Sequence, residues 1–367
     1  MKKILILLCI SLISFSAFSM SVVERKIQTH VITDHSGAEV EVPVEINRIA
    51  VTGIYPLPSV LTVFFNSADK IVSMNTPSLT AAKAGLLGQI YPEIVNVDDK
   101  SVSGGGANIN IEELLKLSPD VVFYSTIAES QVLKNAGIPA VALSVNKWDY
   151  NAIETLDNWL SLLSELFPED SYKATSVHNF SMDAYNLVQQ RISSLKPEER
   201  KKVFFLFQYS PNTMLTSGKH FWGQWWADAV GAVNVGQDIE KDNSVSVNME
   251  QLYAWNPDII IVTNFTTVQP SDILTGKVFE DDWSSLNAVK NKEVYKMPLG
   301  MYRTFTAGVD TPLTLLWMAK TIYPSLFEDV DIFSYCKDYY KNIFDVDLTD
   351  EQVNSIFMPS SSSASGL

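Results

Sequence analysis

Two stretches of the sequence follow one pattern: NIEELLKLSPDVVFYST, from Asn110 to Thr126, and NMEQLYAWNPDIIIVTN, from Asn248 to Asn264. In each stretch a short helical pattern follows an asparagine and ends at a Pro-Asp pair, and an unbroken apolar run comes next. Proline disfavours helical geometry in the residue before it, and strands buried on both faces are continuous apolar runs. The pattern therefore predicts a helix that leads into a buried parallel strand, once in each half. The alternative is that this common α/β junction arose twice independently.

Short apolar runs alternate with helical patterns along the rest of the chain, which is typical of an α/β fold. We predict two lobes, each with a central, mostly parallel sheet flanked by helices, and one long backbone helix that joins them. The expected boundaries are residues 28–150 for the N-terminal lobe, 151–198 for the linking helices and 199–357 for the C-terminal lobe. The backbone helix is predicted over 169–195, a rod of about 40 Å at 1.5 Å per residue. The polar tail, residues 358–367, is expected to be disordered.

The first residues resemble an export signal. Lys2 and Lys3 precede an apolar run from Ile4 to Phe18, so we expect a signal peptide over residues 1–19. Cys9 follows a leucine and lies deep in the apolar run, which makes it a poor lipid-attachment site. The expected location is therefore the periplasm, without a lipid anchor; the alternative is an uncleaved membrane anchor, for which the run is short.

The bulk composition restricts the partners. The formal net charge is −15, and phosphates would repel so acidic a chain, so no nucleic-acid partner is expected. Cys336 is the only cysteine after the leader, which leaves no internal disulfide to form. The four histidines are scattered, and we predict no resident metal site and no cofactor. We expect a monomer.

Several motifs, in this order, resemble those of a known family. They are a D-x-x-G-x-x-V-x-V-P opening within Thr33–Val51, both Pro-Asp junctions, TSGK at Thr216–Lys219 and PLTLLWMAKTIYP at Pro312–Pro324. With the export signal and the long helix, they resemble the helical-hinge (class III) periplasmic solute-binding proteins. Those proteins serve ABC importers of iron-siderophores, haem, cobalamin and related metal chelates. The resemblance extends from about Ile32 to Phe357.

The resemblance implies a partner and a mechanism. Members of this family bind a ligand between the lobes and deliver it to an inner-membrane ABC permease with its ATPase. One glutamate on each lobe contacts permease arginines, and those positions match Glu112 and Glu250 here. Paired carboxylates suit such charge-assisted bonds. The alternative for each glutamate is a favourable acidic residue in the first turn of a helix.

The same resemblance places the ligand at loops that follow the strands, in agreement with the general rule for open α/β sheets. Most candidates there are aromatic, as expected for a large, flat or apolar chelate. Those proposed for stacking could equally be core residues. The predicted ligand-binding set is Tyr55, Tyr209, His220, Trp222, Tyr302, Arg303 and Phe305.

Two of these residues have a specific chemistry. Arg303 could grip a carboxylate of a chelate or a haem propionate through its planar guanidinium, or else be a solvated surface arginine. His220 could ligate a metal, or else be a histidine at the start of a helix that packs on Trp222. The glycine-rich loop at Ser103–Gly106 lacks the spacing of a nucleotide-binding loop, and we interpret it as part of the cleft edge.

The predicted function is capture of a metal chelate, foremost an iron-siderophore or haem-like complex, with cobalamin or a nickel chelate as alternatives. A sensory or adaptor protein that reports the ligand to a membrane receptor remains a second class. An enzyme is disfavoured because the sequence shows no nucleophile elbow, no HExxH and no nucleophile with a neighbouring base.

Overall fold

The computed structural model describes residues 28–102 and 108–364 of the chain. The predicted signal peptide and the loop Ser103–Gly106 lie outside these residues. The strands are β1 Thr29–Thr33, β2 Glu39–Pro43, β3 Ile49–Val51, β4 Ile71–Met74, β5 Val121–Tyr124, β6 Ala140–Ala142, β7 Lys202–Leu206, β8 Gln208–Ser210, β9 Thr213–Ser217, β10 Val233–Asn234, β11 Ser244–Ser246, β12 Ile259–Val262, β13 Lys277–Val278, β14 Asp281–Asp282 and β15 Val294–Lys296.

The helices lie between and around these strands. They are α1 Leu57–Phe65, α2 Thr76–Ala84, α3 Leu87–Ile90, α4 Ile111–Lys116, α5 Ile127–Asn135, α6 Ala152–Leu166, α7 Tyr172–Ile192, α8 Trp222–Ala229, α9 Met249–Trp255, α10 Pro270–Leu274, α11 Asn287–Lys290, α12 Thr311–Ile322, α13 Ile332–Phe344 and α14 Asp350–Phe357. Within the described ranges, none of them combines the length and the apolar character needed to span a bilayer.

Each lobe is built on a four-stranded parallel sheet. The strand order is β4-β3-β5-β6 in the N-terminal lobe and β10-β7-β12-β15 in the C-terminal lobe. The central strands β5 and β12 are buried along their whole length. Parallel strands buried on both faces need continuous apolar runs, which both repeated stretches supply. The two-lobe α/β prediction is confirmed.

The repeated stretches also share their backbone geometry. Asn110 and Asn248 cap helices α4 and α9, and each side chain accepts a hydrogen bond from the backbone N–H three residues later. The residues before the prolines, Ser118 and Asn256, have left-handed φ values of 46° and 43°. Proline disfavours the right-handed helical region for the residue before it. In both stretches the backbone therefore reverses through the left-handed region.

The aspartate of each Pro-Asp pair has one and the same role. Asp120 Oδ2 accepts a hydrogen bond of 2.9 Å from the backbone N–H of Arg48, just before β3. Asp258 Oδ2 accepts one of 2.9 Å from the backbone N–H of Lys202, at the start of β7. In each lobe the aspartate therefore fixes the beginning of the strand that lies next to its own in the sheet.

Helix α7 joins two separate cores. Its 21 residues correspond to a rod of about 32 Å. Val177 packs into the core of the N-terminal lobe, whereas Ala184 and Val188 pack into that of the C-terminal lobe. The helix is shorter than the predicted 169–195, because residues Pro168–Asp170 form a separate 3-10 turn before it.

The chain returns to the N-terminal lobe at its end. We predicted residues 199–357 as the C-terminal lobe, but helices α13 and α14 contribute Cys336, Tyr340 and Ile356 to the core of the N-terminal lobe. The amphipathic pattern of these helices specifies that one face is buried and leaves open which lobe covers it.

The predicted disordered tail differs from the structure over Met358–Ala364. Residues Ser361–Ala364 form a 3-10 turn, with Ser363 fully buried and Ala364 5% exposed. These residues have little apolar surface to bury, and hydrogen bonds hold the turn instead.

Candidate functional site

The carboxyl ends of the two parallel sheets face one cleft, and an asparagine after a strand fixes the loops on each side. Asn75 follows β4, and its Nδ2 donates to the backbone carbonyl of Thr52, at 2.7 Å. Asn264 follows β12, and its Nδ2 donates to the carbonyl oxygens of Met297 and Pro298, at 2.9 and 3.0 Å. These bonds satisfy buried amides and hold the strand-end loops that line the cleft.

Arg303 connects the two lobes where their strand-end loops meet. It lies in residues 297–310, which follow β15 and are called the Arg303 loop below. Its Nη1 donates to the carbonyl of Pro77 in the N-terminal lobe, at 3.1 Å, and to the Tyr302 hydroxyl, at 3.2 Å. Its Nε donates to the carbonyl of Ser363, at 2.9 Å. Only 1% of Arg303 is exposed, which excludes the alternative of a solvated surface arginine.

The charge of Arg303 is not balanced by the part of the protein that the structure describes. Among residues 28–102 and 108–364, no carboxylate oxygen lies within 4.0 Å of its guanidinium. Its Nη2 is buried and has no hydrogen-bond partner among these residues. The flanking groups are rings: the guanidinium carbon lies 5.2 Å from the centroid of Phe265 and 5.5 Å from that of Tyr302. Burial of an unpaired charge is costly, so this position favours an anion.

Tyr302 of the predicted set contacts Arg303, and Tyr55 lies near Tyr302. Burial raises the pKa of the Tyr302 hydroxyl, with a smaller contribution from neighbouring Tyr55, whereas the positive charge of Arg303 acts in the opposite direction. Tyr302 is therefore a neutral hydrogen-bond partner of Arg303 at physiological pH. Tyr302 is buried, whereas 39% of Tyr55 is exposed, which places Tyr55 at the open side.

Asp310 holds the Arg303 loop in place. Its carboxylate accepts hydrogen bonds from the backbone N–H of Met301, at 2.7 Å, and from the Tyr340 hydroxyl, at 2.6 Å. A methyl group on Gly300 would lie 2.3 Å from Oδ1 of Asp310, so only glycine fits there. Complete burial raises the pKa of Asp310 to about 6, although these hydrogen bonds oppose the shift.

Trp222 and Phe305 belong to a continuous aromatic wall. Trp222 packs edge-on against Tyr150 of the N-terminal lobe, with 5.1 Å between ring centroids. Phe305 packs against Phe207, at 5.5 Å, and its carbonyl accepts a hydrogen bond from Trp226. Both predicted residues are almost fully buried. They pack as core residues beneath the strand-end loops.

His220 faces a different space. It lines a polar groove of about 680 Å³ between the two lobes, together with Trp148, Glu154 and Glu240. Its Nε2 lies 3.2 Å from Oε2 of Glu240, which also pairs with Lys219. Within the described ranges no group of three His, Cys, Asp or Glu side chains could hold a metal ion. Arg303 does not line this groove.

The structure does not bring Tyr209 to the cleft residues. It packs with Trp283 and Phe279 in a separate core of the C-terminal lobe. Its hydroxyl donates to Asp281, at 2.5 Å, and burial raises its pKa. The sequence placed it after a strand, but the chain continues into the hairpin β8–β9, which turns this side chain away.

Glu112 and Glu250 occupy corresponding positions in the first turns of α4 and α9. Both are exposed, and the Glu112 side chain, 82% exposed, makes a surface ion pair of 3.2 Å with Lys116. Such exposed pairs contribute little to stability and leave the carboxylate available.

Three residues of the site were missed by the sequence analysis. Pro77 contributes only a carbonyl, and Ser363 contributes a carbonyl and a hydroxyl, so their side chains gave no signal. Asp310 could have been found, because it directly precedes Thr311 and Pro312 at the start of a helix, where acidic residues are favoured.

Residues 76–299 match the sequence pattern of the periplasmic binding protein family. The chain belongs to this family. It is 31% identical to a periplasmic solute-binding protein of Veillonella parvula, whose crystal structure has a TM-score of 0.78 over 90% of this chain and 97% of that one. It is 26% identical to the molybdate-binding protein MolA of Haemophilus influenzae, over 94% of this chain and 96% of that protein.

Solved neighbours extend this likeness. MolA bound to molybdate has a TM-score of 0.73, and the nickel–histidine complex of Helicobacter pylori CeuE has one of 0.70 at 23% identity over 90% of this chain and 99% of that one. These are class III members, and the relatives are substrate-binding proteins of transporters, not enzymes. The chain is thus a substrate-binding protein of an ABC importer, with a membrane permease and its ATPase as partners, and it acts outside the inner membrane.

Proposed function

We propose that this binding protein captures a metal species that presents anionic oxygens to Arg303, and delivers it to an inner-membrane permease. Two kinds of ligand share this chemistry: a metal oxyanion, and a metal chelate with a free carboxylate, such as an iron-siderophore or haem. The proposal includes no catalytic step. We also propose that residues 1–19 are a cleaved signal peptide and that the mature protein is a periplasmic monomer without lipid.

The observation that carries the proposal is the unbalanced guanidinium of Arg303. A buried arginine is retained where a ligand completes its bonds, because a planar donor pair matches the oxygens of a carboxylate or an oxyanion. Nη2 is the free half of that pair. The rings of Phe265 and Tyr302 flank the guanidinium, and such a largely apolar wall with one charged group is typical of ligand sites.

The relatives support an anionic ligand that contains metal. MolA, 26% identical over nearly the whole of both chains, is named for molybdate, which is an oxyanion. The CeuE structure contains nickel with histidine, an amino acid that has a carboxylate. Both ligand types fit an arginine for which the described residues supply no carboxylate partner.

Titration of the purified protein with a small panel tests this function. We expect one of molybdate, ferric citrate, haem or nickel–histidine to bind, as measured by calorimetry and by quenching of tryptophan fluorescence. The control is the cobalt hexammine cation, which has no anionic oxygen and should not bind. Binding of this cation in preference to all four anionic or carboxylate-bearing probes would contradict the proposal.

We further propose that Glu112 and Glu250 contact the permease. Replacement of both by glutamine is expected to reduce ligand uptake by cells at least about tenfold, because paired carboxylates orient the complex through charge-assisted bonds. Ligand affinity of the purified variant should stay unchanged, because neither residue lies at the cleft. Glu113→Gln with Gln251→Glu, at the neighbouring positions, is the matched control. Normal uptake by the double variant would remove these residues from the docking surface.

A further inference from the structure

The C-terminal segment enters the cleft from a nearby anchor. The carbonyl of Ile356, in helix α14, accepts a hydrogen bond of 2.8 Å from the backbone N–H of Leu299, at the beginning of the Arg303 loop. Phe357 packs against Phe333, with 5.3 Å between ring centroids. From this anchor only Met358 and Pro359 separate helix α14 from the segment Ser360–Ala364, called the tail segment below. The segment is therefore held on a short tether next to the site.

The tail segment contacts two residues of the site directly. The carbonyl oxygen of Ser363 accepts the 2.9 Å hydrogen bond from Nε of Arg303. The Ser363 hydroxyl donates to Oδ1 of Asn264, at 3.0 Å. Helix α2 of the N-terminal lobe flanks the same turn, so the segment lies between the lobes. A carbonyl oxygen of the chain thus occupies the Nε donor of an arginine that has no carboxylate partner within residues 28–102 and 108–364.

The contacts that hold the tail segment are weak enough for a ligand to displace it. Ser361 and Ser362 are exposed, and the buried side chains of the segment are no larger than serine and alanine. The bond from the Ser363 hydroxyl to Asn264 is neutral and contributes only about 0.5–1.5 kcal/mol. The bond from Arg303 to the Ser363 carbonyl has one charged partner, whereas a bond from Arg303 to an anion has two, so an anionic ligand can displace the carbonyl.

We propose that the tail segment is a tethered competitor that occupies the ligand position of the empty protein and leaves when an anionic ligand arrives. This inference rests on the proposed function, because it needs Arg303 to be a ligand contact. A short tether gives an effective concentration on the order of millimolar, so even weak contacts lower the apparent affinity. The segment then sets the ligand concentration at which the cleft is filled.

A bulky side chain in place of the buried serine tests the competition in the full-length chain. Ser363→Trp cannot fit the closed turn, so it should expel the segment and tighten binding of molybdate or ferric citrate about tenfold. Ser361→Trp, at an exposed position two residues away, is the matched control and should bind like the unchanged protein. A chain that ends at Pro359 should reproduce Ser363→Trp. Equal or weaker binding by the shortened chain would overturn the proposal, since the segment would then be neutral or a part of the closed site.

Hydrogen exchange of the C-terminal peptide tests the position of the tail segment without a ligand. The backbone N–H of Ser363 donates to the carbonyl of Ser360, so the C-terminal peptide of the unchanged protein should show slowed exchange. Arg303→Gln should abolish that protection, and Arg200→Gln, at an exposed position, should leave it intact. An unprotected C-terminal peptide in the unchanged protein would refute the tail proposal even where ligand binding succeeds. Protection without binding of any probe would instead count against the proposed function alone.

Discussion

We expect Arg303→Gln to weaken ligand binding about 100-fold. Two charge-assisted hydrogen bonds contribute about 1.5–3 kcal/mol each, and a factor of ten in affinity corresponds to about 1.4 kcal/mol. Glutamine keeps a donor but loses the positive charge and the planar pair of donors. The measurement is a calorimetric titration of both proteins with the ligand that the panel identifies.

Folding of this variant should be nearly unaffected. Glutamine loses hydrogen bonds to Pro77, Tyr302 and Ser363, but it also removes a buried charge that the described residues leave unpaired. These effects oppose each other, so the free energy of unfolding should change by less than about 1 kcal/mol. Arg200→Gln, at an exposed position, should change neither affinity nor stability. Full affinity in Arg303→Gln would remove Arg303 from the ligand site and end the case for an anion.

Asp310→Asn should abolish a pH dependence of folding stability. Burial raises the pKa of Asp310 from 3.8 to about 6 in the folded protein. A carboxyl group with a raised pKa stabilises the fold fully below its unfolded value, and that contribution is lost as pH rises through 6. The shift corresponds to about 3 kcal/mol at 1.36 kcal/mol per pH unit.

The measurement is urea unfolding of both proteins between pH 4 and pH 7. The stability of the unchanged protein, relative to Asp310→Asn, should fall by about 2 kcal/mol over this range, because part of the total of about 3 kcal/mol is already lost at pH 4. Asp338→Asn, in the exposed part of helix α13, is the control and should show no such trend relative to the unchanged protein. A constant difference between the unchanged protein and Asp310→Asn would show that Asp310 is charged throughout, stabilised by Met301 and Tyr340 more strongly than burial opposes it.

The predicted elements agree with the structure where periodicity is strong. The apolar runs after both Pro-Asp pairs are strands β5 and β12 at the expected residues, and helix α9 has the expected bounds Met249–Trp255. The backbone helix was predicted too long, because Glu169 and Asp170 suit the first turn of a helix and of a 3-10 turn equally. Local patterns specify the type of an element better than its ends.

Among the candidate site residues, the structure places Tyr302 against Arg303 and Tyr55 near Tyr302, and their role as ligand contacts stays a prediction. The sequence could not separate them from Tyr209, which also follows a strand and is aromatic. The difference lies in the hairpin after β7, which directs Tyr209 into another core. The burial of Arg303 could not be predicted from the sequence either, because its partners Pro77 and Ser363 lie 226 and 60 residues away in the chain.

The two α/β units and the long helix between them could be predicted from the sequence, because hydrophobic period, caps and proline act over a few neighbouring residues. The lobe that receives helices α13 and α14, the aromatic residues beside Arg303 and the place of the tail became known from the three-dimensional arrangement alone. Those outcomes depend on which distant surfaces exclude water from one another. The buried guanidinium, which has no carboxylate partner among the described residues, becomes visible only when the two lobes and the tail segment are placed together.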